Sequence, residues 1–134
     1  MARHNKTGRS KTNGPFVLLP HFMLNSAAWA SLFPQDRAVY VELRRRYNGR
    51  NNGRIGLSVR EAAELCRMNR DTAARSLRRL EEAGFIEMVT PGGFTRKDRH
   101  STEWRLTTDL CDVTGAPASK AFQRWRPSTV AMAQ

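Results

Sequence analysis

The sequence predicts an α+β fold, mainly α, and three observations carry that expectation. Apolar residues recur at helical spacing through residues 34–47 and 58–83. After Gly84 the period switches to two, in FIEMVT and again in TEWRLT. Turn clusters separate these stretches, Asn48-Gly49 through Gly53 in one place and Pro91-Gly92-Gly93 in another. The chain has 134 residues, enough for one domain with tails. Its hydrophobic content of 40% supports a modest core, and 3 Trp and 6 Phe supply bulky packing groups.

The elements follow in order. Ser26 can cap a short helix, SAAWASLF, with Trp29 and Phe33 as core anchors. Pro34 suits the first turn of a longer helix, PQDRAVYVELRRRY, in which Val39, Leu43 and Tyr47 form a buried stripe. Arg44, Arg45 and Arg46 close it, where cations complement the helix dipole. NGRNNG reads as a turn-rich linker in which Arg50 and Arg54 are exposed charges, and Arg54-Ile55-Gly56-Leu57 as one short strand. Ser58 and Glu61 match the S-x-x-E capping box, so a helix starts at Ser58. Its face of Val59, Ala62, Ala63 and Cys66 is small enough for a second helix to cross closely. Arg67-Met68-Asn69 forms a tight turn, and Asn69 caps the next helix. There Ala73, Leu77 and Leu80 point one way while Asp71, Ala74, Arg75 and Arg78 point another, and Gly84 stops the helix. FIEMVT alternates with Ile86 and Met88 on one face and Glu87 and Val89 on the other, TEWRLT alternates with Trp104 and Leu106 facing one way, and the two read as a hairpin. Its tip, FTRKDRHS, is long and basic. Helix, tight turn, helix and then such a hairpin is the arrangement of a winged helix-turn-helix with a C-terminal β-hairpin wing.

Charge narrows the partner. The net charge is +11 and the isoelectric point is near 11.2. A small protein this basic meets a polyanion, with nucleic acid first and an anionic membrane surface second. The sequence has no apolar run long enough to span a bilayer and no secretory segment near Met1; PFVLLP is too short. A cytoplasmic protein, nucleoid-associated when bound to DNA, is the expectation. The two cysteines, Cys66 and Cys111, are expected to be thiols. Neither they nor His4, His21 and His100 have metal-ligand spacing, so neither metal nor cofactor is expected, and Cys66 reads as a small buried hydrophobe.

Residues 57–86, LSVREAAELCRMNRDTAARSLRRLEEAGFI, resemble winged helix-turn-helix regulators of the GntR type. The resemblance lies in capping Ser58, the alanine pair before Leu65, Asn69 where a Ser is common, and then Arg70, Thr72, Leu77, Leu80, Gly84 and Phe85-Ile86. The flanks, LPHFMLNSAAWASL, YNGRNNGRIGLS and STEWRLT, resemble small replication-initiator and regulator proteins of bacterial mobile elements. With them the resemblance spans residues 16–108. GntR-type helices often carry Arg where this chain has Ala74; here the arginine is Arg75. The short stretch after the hairpin predicts no effector-sensing domain of the usual GntR design.

This reading divides the chain into a flexible basic arm (1–14), a winged-helix DNA-binding domain (15–108) and a partly disordered C-terminal extension (109–134). The major groove admits one α-helix, entering N-terminus first. Within the recognition helix, 69–83, the candidate base readers are Arg70, Asp71, Thr72 and Arg75. An arginine can hold guanine O6 and N7 with two hydrogen bonds, and Asp71 can accept from a cytosine amine or, preferably, orient Arg75. Arg78 and Arg79 are candidate phosphate contacts, although Arg78 also suits an i,i+4 pair with Glu82. Ser58 and Arg60 join them, because a helix N-terminus attracts anions. The wing tip offers Arg96, Lys97, Arg99 and His100, and the arm offers Arg3, Lys6, Arg9 and Lys11.

The expected activity is sequence-specific binding of double-stranded DNA by a small transcriptional regulator. The alternative is a replication-initiator or recombination accessory protein of a plasmid, phage or integrative element. A protein-interaction winged helix is a further alternative, but such surfaces are depleted of unpaired Lys and Arg. RNA binding would favour exposed aromatics, whereas Trp29, Trp104 and the tyrosines fall on predicted core faces. Enzymatic function is not expected: the sequence has no Gly-rich phosphate loop, no H-E-x-x-H and no nucleophile with a placed His base. A homodimer is possible. In 109–127 Ser119 can cap a helical turn, and Phe122 and Trp125 are expected to dock on the core or to bind a protein partner.

Overall fold

The structure, a computed structural model, describes residues 14–94 and 99–127, without the side chains of 94, 99 and 100. Five α-helices and a small antiparallel sheet are arranged among these residues: α1 (His21–Leu24), α2 (Ala27–Ser31), α3 (Pro34–Arg46), β1 (Ile55–Gly56), α4 (Val59–Cys66), α5 (Arg70–Glu82), β2 (Ile86–Thr90), β3 (Gly93–Phe94), β4 (Arg99–His100) and β5 (Glu103–Leu106). A short 3₁₀ turn, Ala121–Arg124, follows. The α+β, mainly α expectation holds. No helix among the described residues is long and apolar enough to cross a membrane.

Local chemistry sets most element ends. Ser26 Oγ accepts from the Trp29 N–H at 3.1 Å and starts α2. Pro34 opens α3, whose first turn is closed by the Asp36 carboxylate accepting from Phe33 N–H at 3.0 Å. Ser58 and Glu61 form the reciprocal box at 3.0 and 3.1 Å. Asn69 Oδ1 accepts from Thr72 N–H at 2.8 Å, so α5 begins where the sequence places it.

Helices α3, α4 and α5 pack on one another and the sheet closes the base of the core. The sheet order is β1-β5-β2, all antiparallel, with Ile55 and Met88 opposite Trp104 and Ile86 opposite Leu106. Trp104 hangs from the sheet into the core and donates through Nε1 to Leu57 O at 2.9 Å. Beyond an irregularity between Met88 and Thr90 the hairpin continues as a separate β3–β4 ladder. Val39, Tyr40, Leu43, Ala62, Ala73, Leu77, Leu80, Phe85, Ile86 and Leu106 form the centre of the core. Cys66 is partly buried against it, and burial pushes its thiol pKa up, with Glu42 adding to the effect.

Four expectations change. Phe33 is 53% exposed rather than a core anchor, because its backbone is the cap of α3 and its ring lies under a guanidinium, described below. Met88 does not share the burial of Ile86: the strand has run past the core by that residue, and Met88 stays 46% exposed. The arginine triplet is more than a dipole complement. Arg44 is buried and bonds Asp109 at 2.7 Å, Arg46 donates to Gly56 O at 2.6 Å and pairs with Glu61 at 3.2 Å, and only exposed Arg45 stays on its own helix, with Glu42. Ser119 caps nothing: the 3₁₀ turn is led by Lys120 in the left-handed region, and the Ser119 hydroxyl is buried with no partner among the described residues.

The chain after the hairpin belongs to the folded unit, which therefore extends past residue 108. Phe122 is fully buried and stacks on Phe85, ring centroids 5.0 Å apart and planes 10° from parallel. Trp125 packs partly buried beside it. Docking, rather than a free linear motif, is thus the arrangement of Phe122 and Trp125. Gly84 makes it possible. Its φ is +88°, and a Cβ there would fall 2.6 Å from Phe122 N and 2.7 Å from Ala121 C. At the other end Asn52, fully buried, donates to the carbonyls of Leu106, Asp109 and Leu110 and accepts from Leu106 N–H at 2.6 Å. The NGRNNG stretch is therefore pinned to the segment after β5, not a loose linker.

Candidate nucleic-acid interface

Helix α5 is held from one side only. Ala73, Ser76, Leu77 and Leu80 are buried, while Arg70, Asp71, Arg75 and Arg78 stand exposed along the opposite face with Ala74 half-buried between them. Thr72 is half-buried beside its cap. The hairpin runs back along this helix. Arg78, Glu81 and Ala74 form one wall of a shallow cleft whose other wall is Met88, Thr102 and Trp104. Arg70, Arg75 and Arg78 are thus exposed along α5, and Arg78 also lines the cleft beside the hairpin.

Partners separate the arginines. Arg37 donates to Trp29 O, and Arg44, Arg45, Arg46, Arg60 and Arg105 pair with acids. The side chains of Arg70, Arg75 and Arg78 have no hydrogen-bond or acid partner among the described residues, and neither do those of Arg50, Arg54 and Arg67. The expected orienting pair of Asp71 with Arg75 is not formed, and neither is Arg78 with Glu82. Glu81 on the same side instead accepts from Met88 N–H at 3.3 Å.

Arg79 departs from the phosphate-contact expectation. Its guanidinium makes a forked pair with Asp36, Nη2 to Oδ1 at 2.8 Å and Nε to Oδ2 at 2.9 Å, and lies 4.8 Å over the Phe33 ring. The Asp36 hydrogen bonds hold the guanidinium pKa above its usual value, although burial opposes this. The side chain is committed to α3 and ties α5 to the start of that helix. Ser58 is committed as well. Its hydroxyl and N–H both serve the cap, and the anion attracted by the N-terminus of α4 is Glu61 itself. Burial alone would push the Glu61 carboxyl up; hydrogen bonds from Ser58 N–H and the Ser101 hydroxyl, together with Arg46, outweigh it and hold the pKa below the usual carboxylate range. Arg60 is exposed and paired with Glu64 at 3.2 Å, a surface pair that a stronger anion can displace.

The backbones of Arg99 and His100 lie in β4, opposite Phe94 and Gly93. Arg96 and Lys97 fall outside the described residues, as do Arg3, Lys6, Arg9 and Lys11. One cation escaped sequence reasoning. Arg67 lies in the α4–α5 turn with φ +56° and ψ +52°, is exposed, and stands three residues before Arg70. The available signal was a tight turn without a glycine. No family model matches the chain, and neither a curated protein nor a solved structure was found to be similar to it.

Proposed function

We propose that the domain is a winged helix-turn-helix that binds double-stranded DNA sequence-specifically as a small transcriptional regulator. In this reading α5 enters the major groove, and the hairpin lies on the backbone or in the adjacent minor groove. The observation that carries it is the one-sided arginine face of α5. A helix fastened by Ala73, Leu77 and Leu80 presents Arg70, Arg75 and Arg78 outward without acid partners, whereas Arg44, Arg46 and Arg79 are tied into the fold. An arginine left unpaired on a rigid helix is desolvated more readily by a phosphate or a guanine than one that must first leave a carboxylate.

The test compares two double variants of equal charge. R75A/R78A removes two unpaired cations of α5, and R45A/R124A removes two exposed ones bonded within the fold, Arg45 to Glu42 and Arg124 to Ser119 O. With a short labelled duplex, R75A/R78A is expected to lower the slope of log affinity against log salt by about 1–2. R45A/R124A is expected to change it little. Equal losses from both would reduce the reading to bulk charge. Mapping bound DNA across the source genome then assigns the process: promoter sites support regulation, whereas sites at an origin or attachment sequence support replication or recombination.

A further inference from the structure

Among the described residues, two other than glycine sit in the left-handed backbone region, Arg67 and Lys120. That conformation is unfavourable for a side chain with a Cβ, and a helix end that needs it is usually supplied by glycine. Lys120 has an internal reason to be there. Its N–H donates to Thr107 O at 2.9 Å and its ammonium lies 5.2 Å over the Phe22 ring. Arg67 also uses its backbone: it is the C-cap of α4, and the turn it makes is closed by Met68 N–H on Ala63 O at 3.0 Å. Its side chain, however, is exposed and has no hydrogen bond, ion pair or ring contact among the described residues. Glycine would make this turn with less strain, and apart from complementing the dipole at the C-terminus of α4, a weak and salt-screened effect, nothing among the described residues accounts for the guanidinium.

The position does account for it. The turn leads directly into Asn69, the cap of α5, and then Arg70. A cation here flanks the end of α5 that enters the groove first in the proposed orientation. We infer that Arg67 is a DNA-phosphate contact, held at the leading end of α5 by a strained turn, and that it fills the part played neither by Arg79 nor by Ser58. The inference rests on the DNA-binding reading above. The ligand is a backbone phosphate, not a base, because the turn lies outside the helix face formed by Arg70, Arg75 and Arg78.

The conformation supplies an unusual test, since one substitution is expected to improve the fold and impair binding. Arg67→Gly should melt at the same temperature as the parent chain or higher, because glycine adopts the turn freely. Against a short labelled duplex it should lose roughly three- to tenfold in affinity, and its salt slope should fall by about 0.9, the share of one phosphate. Arg67→Lys keeps the charge and should keep the slope. A fall in melting temperature of more than about 2 °C for Arg67→Gly would make the side chain structural and overturn the inference. So would an unchanged slope, or an Arg67→Lys that loses as much slope as Arg67→Gly. If R75A/R78A weakens binding while Arg67→Gly does not, only this inference fails. If the parent chain binds no duplex at all, the DNA-binding reading fails and takes this one with it.

Discussion

Asp36 and Arg79 show how one residue can look like a ligand contact and act as a fastener. Asp36 has no solvent exposure, yet its carboxylate is satisfied by Phe33 N–H and by the forked guanidinium of Arg79. A buried carboxylate left without its cation is costly, whereas an exposed arginine is close to neutral for stability. Arg79→Ala is therefore expected to destabilise the protein by about 3 kcal/mol, reduced somewhat because the Arg79 side chain is 28% exposed. Arg75→Ala and Arg78→Ala should each stay within about 0.5 kcal/mol. Urea unfolding of the three variants checks this. Three similar values would mean that Arg79 is not the anchor of α5. The same comparison guards the binding assays, since loss of DNA affinity by Arg79→Ala would reflect a displaced helix rather than a lost phosphate contact.

Between elements, the fold depends on contacts that bring distant segments together. Gly84 lets the 3₁₀ turn lie directly on the end of α5, and Phe122 then completes a ring cluster with Phe85, Trp29 and Tyr40. Phe122→Ala should cost about 3–5 kcal/mol, a core value rather than a tail value. Gly84→Ala should cost about 2 kcal/mol or more, from the positive φ and the collision with Ala121 and Phe122 backbone. Melting curves near parental for both would return residues 109–127 to the status of an appended tail. The capping box adds a pH effect. The Glu61 carboxyl sits below its ordinary value of 4.5 when folded. Its contribution to stability is therefore complete above that value and is lost as pH falls through the lower folded-state value. Glu61→Gln should flatten that part of the acid limb in melting temperature against pH, and an unchanged limb would assign it to other carboxylates. These cases also mark what the sequence could reveal. Pro34, Ser26, Ser58 with Glu61, and Asn69 act within one helical turn, so the helix starts were legible. The apolar spacing of Ala73, Leu77 and Leu80 then told which face of α5 turns outward. Asp36 and Arg79 stand 43 residues apart, and Asn52 reaches Leu106 across 54. No local pattern encodes such pairings, which is why Arg79 read as a free cation and NGRNNG as a linker. Met88 was misplaced for a related reason: alternation tells which face a residue joins, not how far the core extends under it.

For the whole molecule, the charge of +11 is distributed rather than uniform. Six of the 12 acids, Asp36, Glu42, Glu61, Glu64, Glu87 and Asp109, pair with arginines, so these charges cancel locally. The remaining cations include Arg67, Arg70, Arg75 and Arg78 around α5, Arg50 and Arg54 before β1, Lys120, Arg124 and Arg126 after β5, and those in the basic stretches at residues 1–13 and 95–100. Seven cations lie in those stretches, Arg3, Lys6, Arg9, Lys11, Arg96, Lys97 and Arg99. Each phosphate neutralised contributes about 0.9 to the salt slope. If the proposed DNA-binding reading holds, the slope of the parent chain measures how many of these cations act together with α5. Deleting residues 1–13 removes four cations and no acid. If the arm tracks the backbone, the slope should fall by about 2–4, with affinity most affected at low salt, where screening is weakest. The melting temperature should stay within about 2 °C of the parent, because those residues contribute no aliphatic core group beyond Met1 and Ala2. A slope unchanged by the deletion would confine the DNA contacts to the α4–α5 face and the hairpin. A large fall in melting temperature would make the arm part of the fold.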